Sequence, residues 1–582
     1  MEKKLLTLLF LFLAMHVSAQ KAAKPNILLI MTDDQGYGDF GFTGNPYVKT
    51  PNIDRLAARS TRLTNYHNSP VCAPTRSSLL TGRYAQRTGV RDTYNAGAMM
   101  ATEEVTLAEI LESNGYQTGI IGKWHLGDNY PFRPSDQGFQ YSVVHGGGGV
   151  GQPGDHIENF VRTDSSYFNT VLSENNRKVE TKGYCTDVFT NYAVKFLQEQ
   201  KAAPFFLYVS YNAPHTPLQL PKKYEELYAD LKFNADFDKQ KDQPWAAMTE
   251  GDKADARKVY GMATNIDDNV GRILQALKDQ KLEENTIVIF LTDNGNQQLR
   301  YNTGFRGLKG TIYEGGTRVP LLISGAGLFQ QDTDVKALLA HVDVVPTILE
   351  AVKIALPKNL KIDGQSAFTV LQGKTAAKPR TFYNTWNRGW PEPYRNAAFY
   401  KGKYKLTAFN ADPKDPNSFG LFDLEEDPSE KTNLSQKHPQ IAKDLRKGLD
   451  SSFVDISASP NLSQRRVIVG SPHEPVSTLT RQDLGGTSVN WLSDKATGYW
   501  AITVRQDGFY SFKSINIKPL SKETRALVRI GVTQRSVVIE EEKPSAEFDK
   551  IFLKKGDYQV GSWFEGRDGT TGPYYLEIAP SK

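Results

Sequence analysis

The stretch Pro25-Asn26-Ile27-Leu28-Leu29-Ile30-Met31-Thr32-Asp33-Asp34-Gln35-Gly36 decides the fold class. Its apolar run from Asn26 to Met31 has no polar alternation, as expected of a strand buried on both faces of a parallel sheet. The run stops at a polar turn that carries two carboxylates. The same pattern returns along the chain. A capping box, Thr106-Leu107-Ala108-Glu109, opens a helical run to Ser113, and Gly115 stands where a helix stop belongs. A short strand from Thr118 to Ile121 runs into Gly122-Lys123-Trp124-His125. The strand-like run Phe205 to Tyr211 ends at Asn212-Ala213-Pro214-His215, an amphipathic helix covers about Asp255 to Gln280, and Thr286 to Leu291 ends at Thr292-Asp293-Asn294-Gly295. Strand, polar loop and helix in repetition predict an α/β fold, with a mainly parallel sheet sandwiched by helices. Ligands of such sheets bind at the carboxyl ends of the strands. Three of those ends carry Asp33-Asp34, His215 and Asp293-Asn294.

The chain has 582 residues, 39% apolar and 23% charged. That is enough for more than one core, and it excludes disorder, collagen and coiled coil as the main state. Lys plus Arg number 70 against 65 Asp plus Glu, so the net charge of +5 is too thin a field to favour nucleic acid. Lys3 and Lys4, the apolar run Leu5 to Met15 and Val17-Ser18-Ala19 read as a signal peptide over residues 1–19. About ten apolar residues cannot cross a bilayer that needs roughly twenty. The expectation is an exported chain, periplasmic or secreted, without a membrane anchor. A catalytic α/β domain is expected over 24–374 and a smaller α+β subdomain over 375–455. A linker over 456–483 and a β-sandwich accessory domain over 484–582 follow, the last from alternating runs such as Tyr499 to Val504.

Asp33, Asp34, Asp293 and Asn294 are oxygen donors, with no Cys or paired-His spacing that suits zinc. Such a set fits a hard cation, calcium before magnesium, although Asp-Asp-Gln-Gly also serves as an ordinary strand-to-turn sequence. The two cysteines, Cys72 and Cys185, invite a disulfide in an exported chain. The context of Cys72 argues otherwise. It lies in Ser69-Pro70-Val71-Cys72-Ala73-Pro74-Thr75-Arg76-Ser77-Ser78-Leu79-Leu80-Thr81-Gly82, with Pro at +2 and Arg at +4 before a helix start. Cys185 has no such setting and reads as a buried small hydrophobe.

This segment resembles the signature of the formylglycine-dependent (type I) sulfatase family of the alkaline phosphatase superfamily, in the manner of an exported bacterial carbohydrate sulfatase. The likeness spans about residues 24 to 450. It includes Gly115-Tyr116-Gln117-Thr118-Gly119-Ile120-Ile121-Gly122-Lys123-Trp124-His125, then Leu421-Phe422-Asp423-Leu424 with Asp427-Pro428 and Asn433-Leu434. The resemblance implies an alkaline-phosphatase-like α/β fold. It implies a Cα-formylglycine made from Cys72 by a maturase, and a Ca2+ held by Asp33, Asp34, Asp293, Asn294 and the modified Cys72. It implies that Arg76 and Lys123 orient the aldehyde hydrate and His125 hydrogen-bonds it, that Lys309 binds the sulfate, and that His215 protonates the leaving oxygen. The substrate it implies is a sulfated glycan such as mucin, a glycosaminoglycan or an algal polysaccharide, attacked from an end.

Elementary chemistry agrees with these roles. Cleavage of a sulfate monoester pushes negative charge onto the ester oxygen, and a dication with two lysines and an arginine stabilises it there, each well-aimed donor contributing roughly 3 kcal/mol. A hydrated aldehyde also avoids the stable sulfated serine that a simple alcohol would leave. Taken singly, Lys123 and Lys309 also read as solvated charges, His125 as a core histidine and Arg76 as a helix-surface residue. For substrate contacts, His145 precedes four glycines and His156 follows soon after, which predicts a flexible loop over 145–155. Arg300, Asn302 and Arg306 lie near Lys309 in sequence and suit sugar hydroxyls or a uronate. Trp386-Asn387-Arg388-Gly389-Trp390 offers aromatic faces and a guanidinium for a sugar, or else a packed edge. A phosphonate or phosphate ester hydrolase of the same superfamily and a non-catalytic glycan-binding protein stand as alternatives.

Overall fold

The structure is a computed structural model that describes residues 24–581 apart from 153, 163, 200–202, 234–246, 487–489 and 568. The signal peptide read over residues 1–19 lies outside the described residues. An eleven-stranded sheet organises the first part of the chain. At its centre five mutually parallel strands run in the order Thr286–Thr292, Asn26–Thr32, Phe205–Ser210, Gln117–Lys123, Tyr141–His145. On one side Arg318–Gly325 pairs antiparallel with Thr286–Thr292, and Thr61–His67 antiparallel with Arg318–Gly325. Two reversals restore the direction, so Thr61–His67 points the same way as the central block.

The apolar run Asn26–Met31 lies in a strand that is buried throughout. Ile27, Leu29 and Met31 enter one core, under the helices Cys72–Thr81, Leu107–Ser113 and Val344–Ala351. Leu28 and Ile30 enter the other, under Pro51–Ala58, Cys185–Glu199 and Glu250–Asp279. A strand with helices on both faces has no polar side to show, which is why its sequence does not alternate. Each such side chain contributes about 1.5–3 kcal/mol by leaving water. The Thr106–Glu109 capping box forms reciprocally. The long helix starts earlier than its apolar periodicity indicates, at Glu250, because Thr249 and Asp252 form a second capping box ahead of it.

Two further units follow. Thr381–Thr385, Asn396–Lys401, Tyr404–Phe409 and Gly420–Asp423 form an antiparallel sheet covered by the helix Pro439–Ser457. The C-terminal unit is a pair of sheets around one core, with Ile502 and Val560 from one and Phe512 and Leu576 from the other. The stretch 456–483, read as a linker, is part of this unit: Val467–Val469 joins one sheet and Ser477–Thr480 the other. Its serines and prolines resemble linker composition, and strands this short carry too little periodicity to be seen. The same core takes in Ala96, Met99 and Phe132 from the first unit, so the C-terminal unit shares its interior with the main sheet's connections.

Candidate active site

The parallel sheet brings Asp33, Asp34, Lys123, Asp293 and Asn294 to one edge, because each stands at or just beyond a strand's carboxyl end. Thr61–His67, running the same way, delivers Cys72 to that edge at the first position of its helix. Local backbone makes the convergence possible. Gly122 has φ 112°, and a Cβ there would lie 1.9 Å from the Ser210 carbonyl oxygen, so only glycine lets these two strands meet so closely. Asp34 and His125 adopt left-handed conformations, at φ 63° and 60°. Non-glycine residues rarely do so, and such turns cluster at functional sites.

The charges are buried and interlocked. Lys123 Nζ pairs with Asp33 Oδ2, and Arg76 Nη2 lies 2.9 Å from Asp293 Oδ2 and 3.5 Å from Asp33 Oδ2. Arg76 also donates to Ser210 Oγ. Lys309 Nζ stands 2.7 and 2.8 Å from the two Asp34 carboxylate oxygens, and His215 Nε2 is 3.7 Å from Asp34 Oδ2. The Asp34 backbone N–H donates to Asp293 Oδ1 at 3.1 Å, and Asn294 Nδ2 donates to Asp34 Oδ1 at 2.8 Å.

Burial would raise the Asp33 carboxyl, but the charges of Lys123, His215, Arg76 and Lys309 outweigh it and hold the group below the ordinary carboxylate range. Asp293 goes the other way, pushed up to about 7 by burial and by its neighbour Asp33. Burial, then the Lys309 charge, lowers His215 to about 4. The His215 ring places Nδ1 2.7 Å from the Thr216 carbonyl oxygen, leaving Nε2 toward Asp34. His125 is fixed in the same manner, with Nε2 2.8 Å from the Thr93 carbonyl oxygen and Nδ1 without a partner among the described residues. Burial holds it well below its usual pKa, so its ring is neutral.

A cation fits this edge. Asp33 Oδ1 and Asn294 Oδ1 are buried acceptors without a hydrogen-bond partner among the described residues, a costly state unless something positive meets them. Potential ligand atoms of Asp33, Asp34 and His215, and of Asp33, Cys72 and Asp293, lie within 4.8 Å of one another. The largely oxygen donor set selects a hard ion. Cys72 and Cys185 are both free and buried, and burial raises both thiols.

The residues read as substrate contacts fare differently. His145 is no loop residue: it ends the strand Tyr141–His145, is wholly buried and packs beside Phe189. Arg300 is also buried, its guanidinium pairing with Asp39 at 2.6 Å and donating to the Asp34 carbonyl at 2.8 Å, so it braces the turn that carries Asp34. Asn302 is buried beside it. Arg306 lies over the Tyr313 ring, its Cζ 4.1 Å from the centroid, and donates to the Glu430 carbonyl at 3.2 Å. His156 sits 3.0 Å from Ser173 Oγ in a cavity of about 570 Å³ lined also by residues of the C-terminal unit. Arg388 alone keeps a substantial open face, 39% of its side chain, beside Asp92 and Thr93. Ser210, Thr93 and Asp39 give no sign of these contacts in the sequence, since a serine ending an apolar strand and two loop residues carry no local mark of them.

Fold and site together describe a hydrolase for an anionic ester. A model of the Sulfatase family matches residues 25–354, and one described as N-sulphoglucosamine sulphohydrolase, C-terminal, matches residues 307–455. The chain belongs to the sulfatase family, in the alkaline phosphatase superfamily, and is a sulfuric ester hydrolase. It is 28% identical over 514 residues to an uncharacterized sulfatase, YdeN, of Escherichia coli (strain K12), covering 76% of this chain and 87% of that one. It is 29% identical over 472 residues to the N-acetylgalactosamine-6-sulfatase of Sus scrofa, covering 73% and 84%. Among solved structures, Ps i-CgsB in complex with k-i-k-neocarrahexaose aligns with a TM-score of 0.65 at 28% identity, over 76% of this chain and 95% of that one.

Proposed function

We propose that the protein removes sulfate from the end of a sulfated carbohydrate, using a Cα-formylglycine made from Cys72 and one calcium ion, with magnesium the poorer fit. The observation that carries this reading is the position of Cys72, with Asp33 and Asp293 within 4.8 Å of its sulfur and Lys123 and Lys309 acting on its charge. Asp33, Asp34, Asp293 and Asn294 would hold the cation, which supplies a Lewis acid for the sulfate oxygens. The aldehyde hydrate would supply a nucleophilic oxygen and a way to shed the sulfate afterwards. Lys309 and Lys123 would bind the monoanionic sulfate ester and offset the charge that develops on it, and Arg76 fixes Asp293 and Ser210 so that the cluster cannot relax as it does. His125, neutral and held through Nε2 on the Thr93 carbonyl, would leave Nδ1 to accept a hydrogen bond from the hydrate. His215 carries a proton on Nε2 when the anionic ester offsets the Lys309 charge, and delivers it to the departing sugar oxygen.

The carbohydrate is supported by relatives whose names concern sugars, among them an N-acetylgalactosamine-6-sulfatase and a structure holding a neocarrahexaose. Export through the leader over residues 1–19 would place the enzyme outside the cytoplasm, and no described helix is long and apolar enough to cross a membrane. The test is production with and without the maturase, mass spectrometry of the Cys72 peptide, and sulfate release from regiospecifically sulfated sugars. Sulfate release by protein whose Cys72 is unaltered, or by Cys72→Ala, overturns the proposal. Faster turnover of aryl phosphonate than of aryl sulfate would favour the phosphorus reading instead.

A further inference from the structure

A continuous wall runs between the two flanks of the active site. On the Lys309 side, a Cβ on Gly310 would stand 3.3 Å from Trp386 Cζ3. Arg388 Cζ lies 4.9 Å from the Trp386 ring centroid and 4.1 Å from that of Tyr94. The Tyr94 ring stacks on Trp491 at 4.8 Å and 10°. Arg388 donates to Thr93 Oγ1 at 2.9 Å, and the Thr93 carbonyl holds His125, so the wall ends on the opposite flank. Its last rung, Trp491, is 9% exposed and belongs to the C-terminal unit.

The same unit holds His125 from a second direction. Gln482 Oε1 accepts the Gly148 N–H at 2.8 Å, and its carbonyl accepts the Ala96 N–H at 3.2 Å. A Cβ on Gly148 would lie 3.1 Å from His125 Cε1 and Nε2, so this glycine backbone rests directly on the imidazole. Arg481, wholly buried, locks the assembly: it donates to the Ser493 carbonyl at 2.7 Å and the Trp491 carbonyl at 3.3 Å, and its guanidinium lies 3.5 Å over the Tyr574 ring.

We propose that the C-terminal β-unit forms part of the substrate-binding rim, with Gln482 positioning His125 and Trp491 positioning the Tyr94–Arg388–Trp386 wall against which the sugar of the ester lies. The inference rests on the carbohydrate reading above. Aromatic rings bracketing a guanidinium present a flat apolar face and free N–H donors together, which is what a sugar ring and its hydroxyls require. Trp491 itself is covered; it acts by holding Tyr94 flat, which spares the substrate the cost of ordering that side chain.

The test uses the full-length, matured enzyme with an aryl sulfate and with a sulfated oligosaccharide. Trp491→Ala should raise KM for the oligosaccharide about tenfold, more than for the aryl sulfate, with kcat within twofold, and Trp491→Phe should restore KM. Gln482→Ala should lower kcat about tenfold on both substrates, because His125 loses its backing. Unchanged oligosaccharide KM in Trp491→Ala, or an equal loss of kcat on both substrates that Phe does not rescue, overturns the proposal alone. Wild-type enzyme that turns over the aryl sulfate but no sulfated saccharide overturns the carbohydrate reading and this proposal with it.

Discussion

Lys123 reaches across the carboxyl end of the strand Phe205–Ser210 to pair with Asp33 two strands away, and neither side chain is exposed. Removing the lysine leaves a carboxylate in the interior with one fewer cation and, in the proposed reaction, takes a donor from the sulfate. Lys123→Ala should lower kcat by about 10²–10³ and reduce the melting temperature of the metal-free protein. A variant that keeps more than a tenth of wild-type kcat would remove Lys123 from the mechanism.

Gly122→Ala tests whether the close approach of Gly122 to Ser210 is required. The added Cβ meets a carbonyl oxygen at 1.9 Å, and the backbone sits at φ 112°. The cost should reach about 3 kcal/mol or more, with activity lost as the strands part. Denaturant unfolding with a midpoint equal to wild type would show that the strands separate freely.

Calcium should stabilise the folded protein by mass action. Titrated into chelator-treated enzyme to a hundred times its Kd, it should add about 2.7 kcal/mol, with magnesium giving less at the same concentration. Asp34→Asn should abolish most of the shift. Equal melting curves with and without calcium would argue that Asp33 and Asn294 answer to something else.

A second buried cluster ties the antiparallel sheet that contains Tyr404–Phe409 to the main one. Lys405 Nζ lies 2.9 Å from both Glu314 and Glu430, all three side chains unexposed, and His67 stands 3.1 Å from Glu314. Lys405→Met strands two carboxylates and should cost about 3–5 kcal/mol. A loss below 1 kcal/mol in chemical denaturation would mean that the cluster relaxes by taking up protons.

Burial pushes Glu474 up to about 7, against the Arg133 charge. Its folded form binds a proton at a pH where the unfolded chain, near 4.5, does not, so its contribution to stability is present at low pH and is lost as pH rises through 7. Glu474→Gln removes this loss. The variant should gain on wild type by up to about 3 kcal/mol between pH 5 and pH 8. A difference that does not move with pH would place the Glu474 carboxyl near its ordinary value.

Much of the fold and the heart of the site were legible in one dimension. NILLIM announces a doubly buried strand, Thr106 and Glu109 announce their helix, and Cys72, Pro74 and Arg76 mark the segment that carries the family resemblance, because each signal is carried by neighbours along the chain. The acidic pairs could be grouped because strand ends in a parallel sheet share an edge whatever the crossings.

Partnership was legible only in space. Arg300 looks like any loop arginine until Asp39 and the Asp34 carbonyl are found around it, and His145 looks mobile until its strand is paired. Gln482 lies 334 positions from the Gly148 amide it holds. Desolvation and ion pairing depend on distance through the interior, and separation along the chain does not report that distance. The amino-acid order therefore determined the kind of chemistry and the sheet that carries it. The packing of the three units decided which charges were neutralised, which histidines were held neutral and which residues were left open to a substrate.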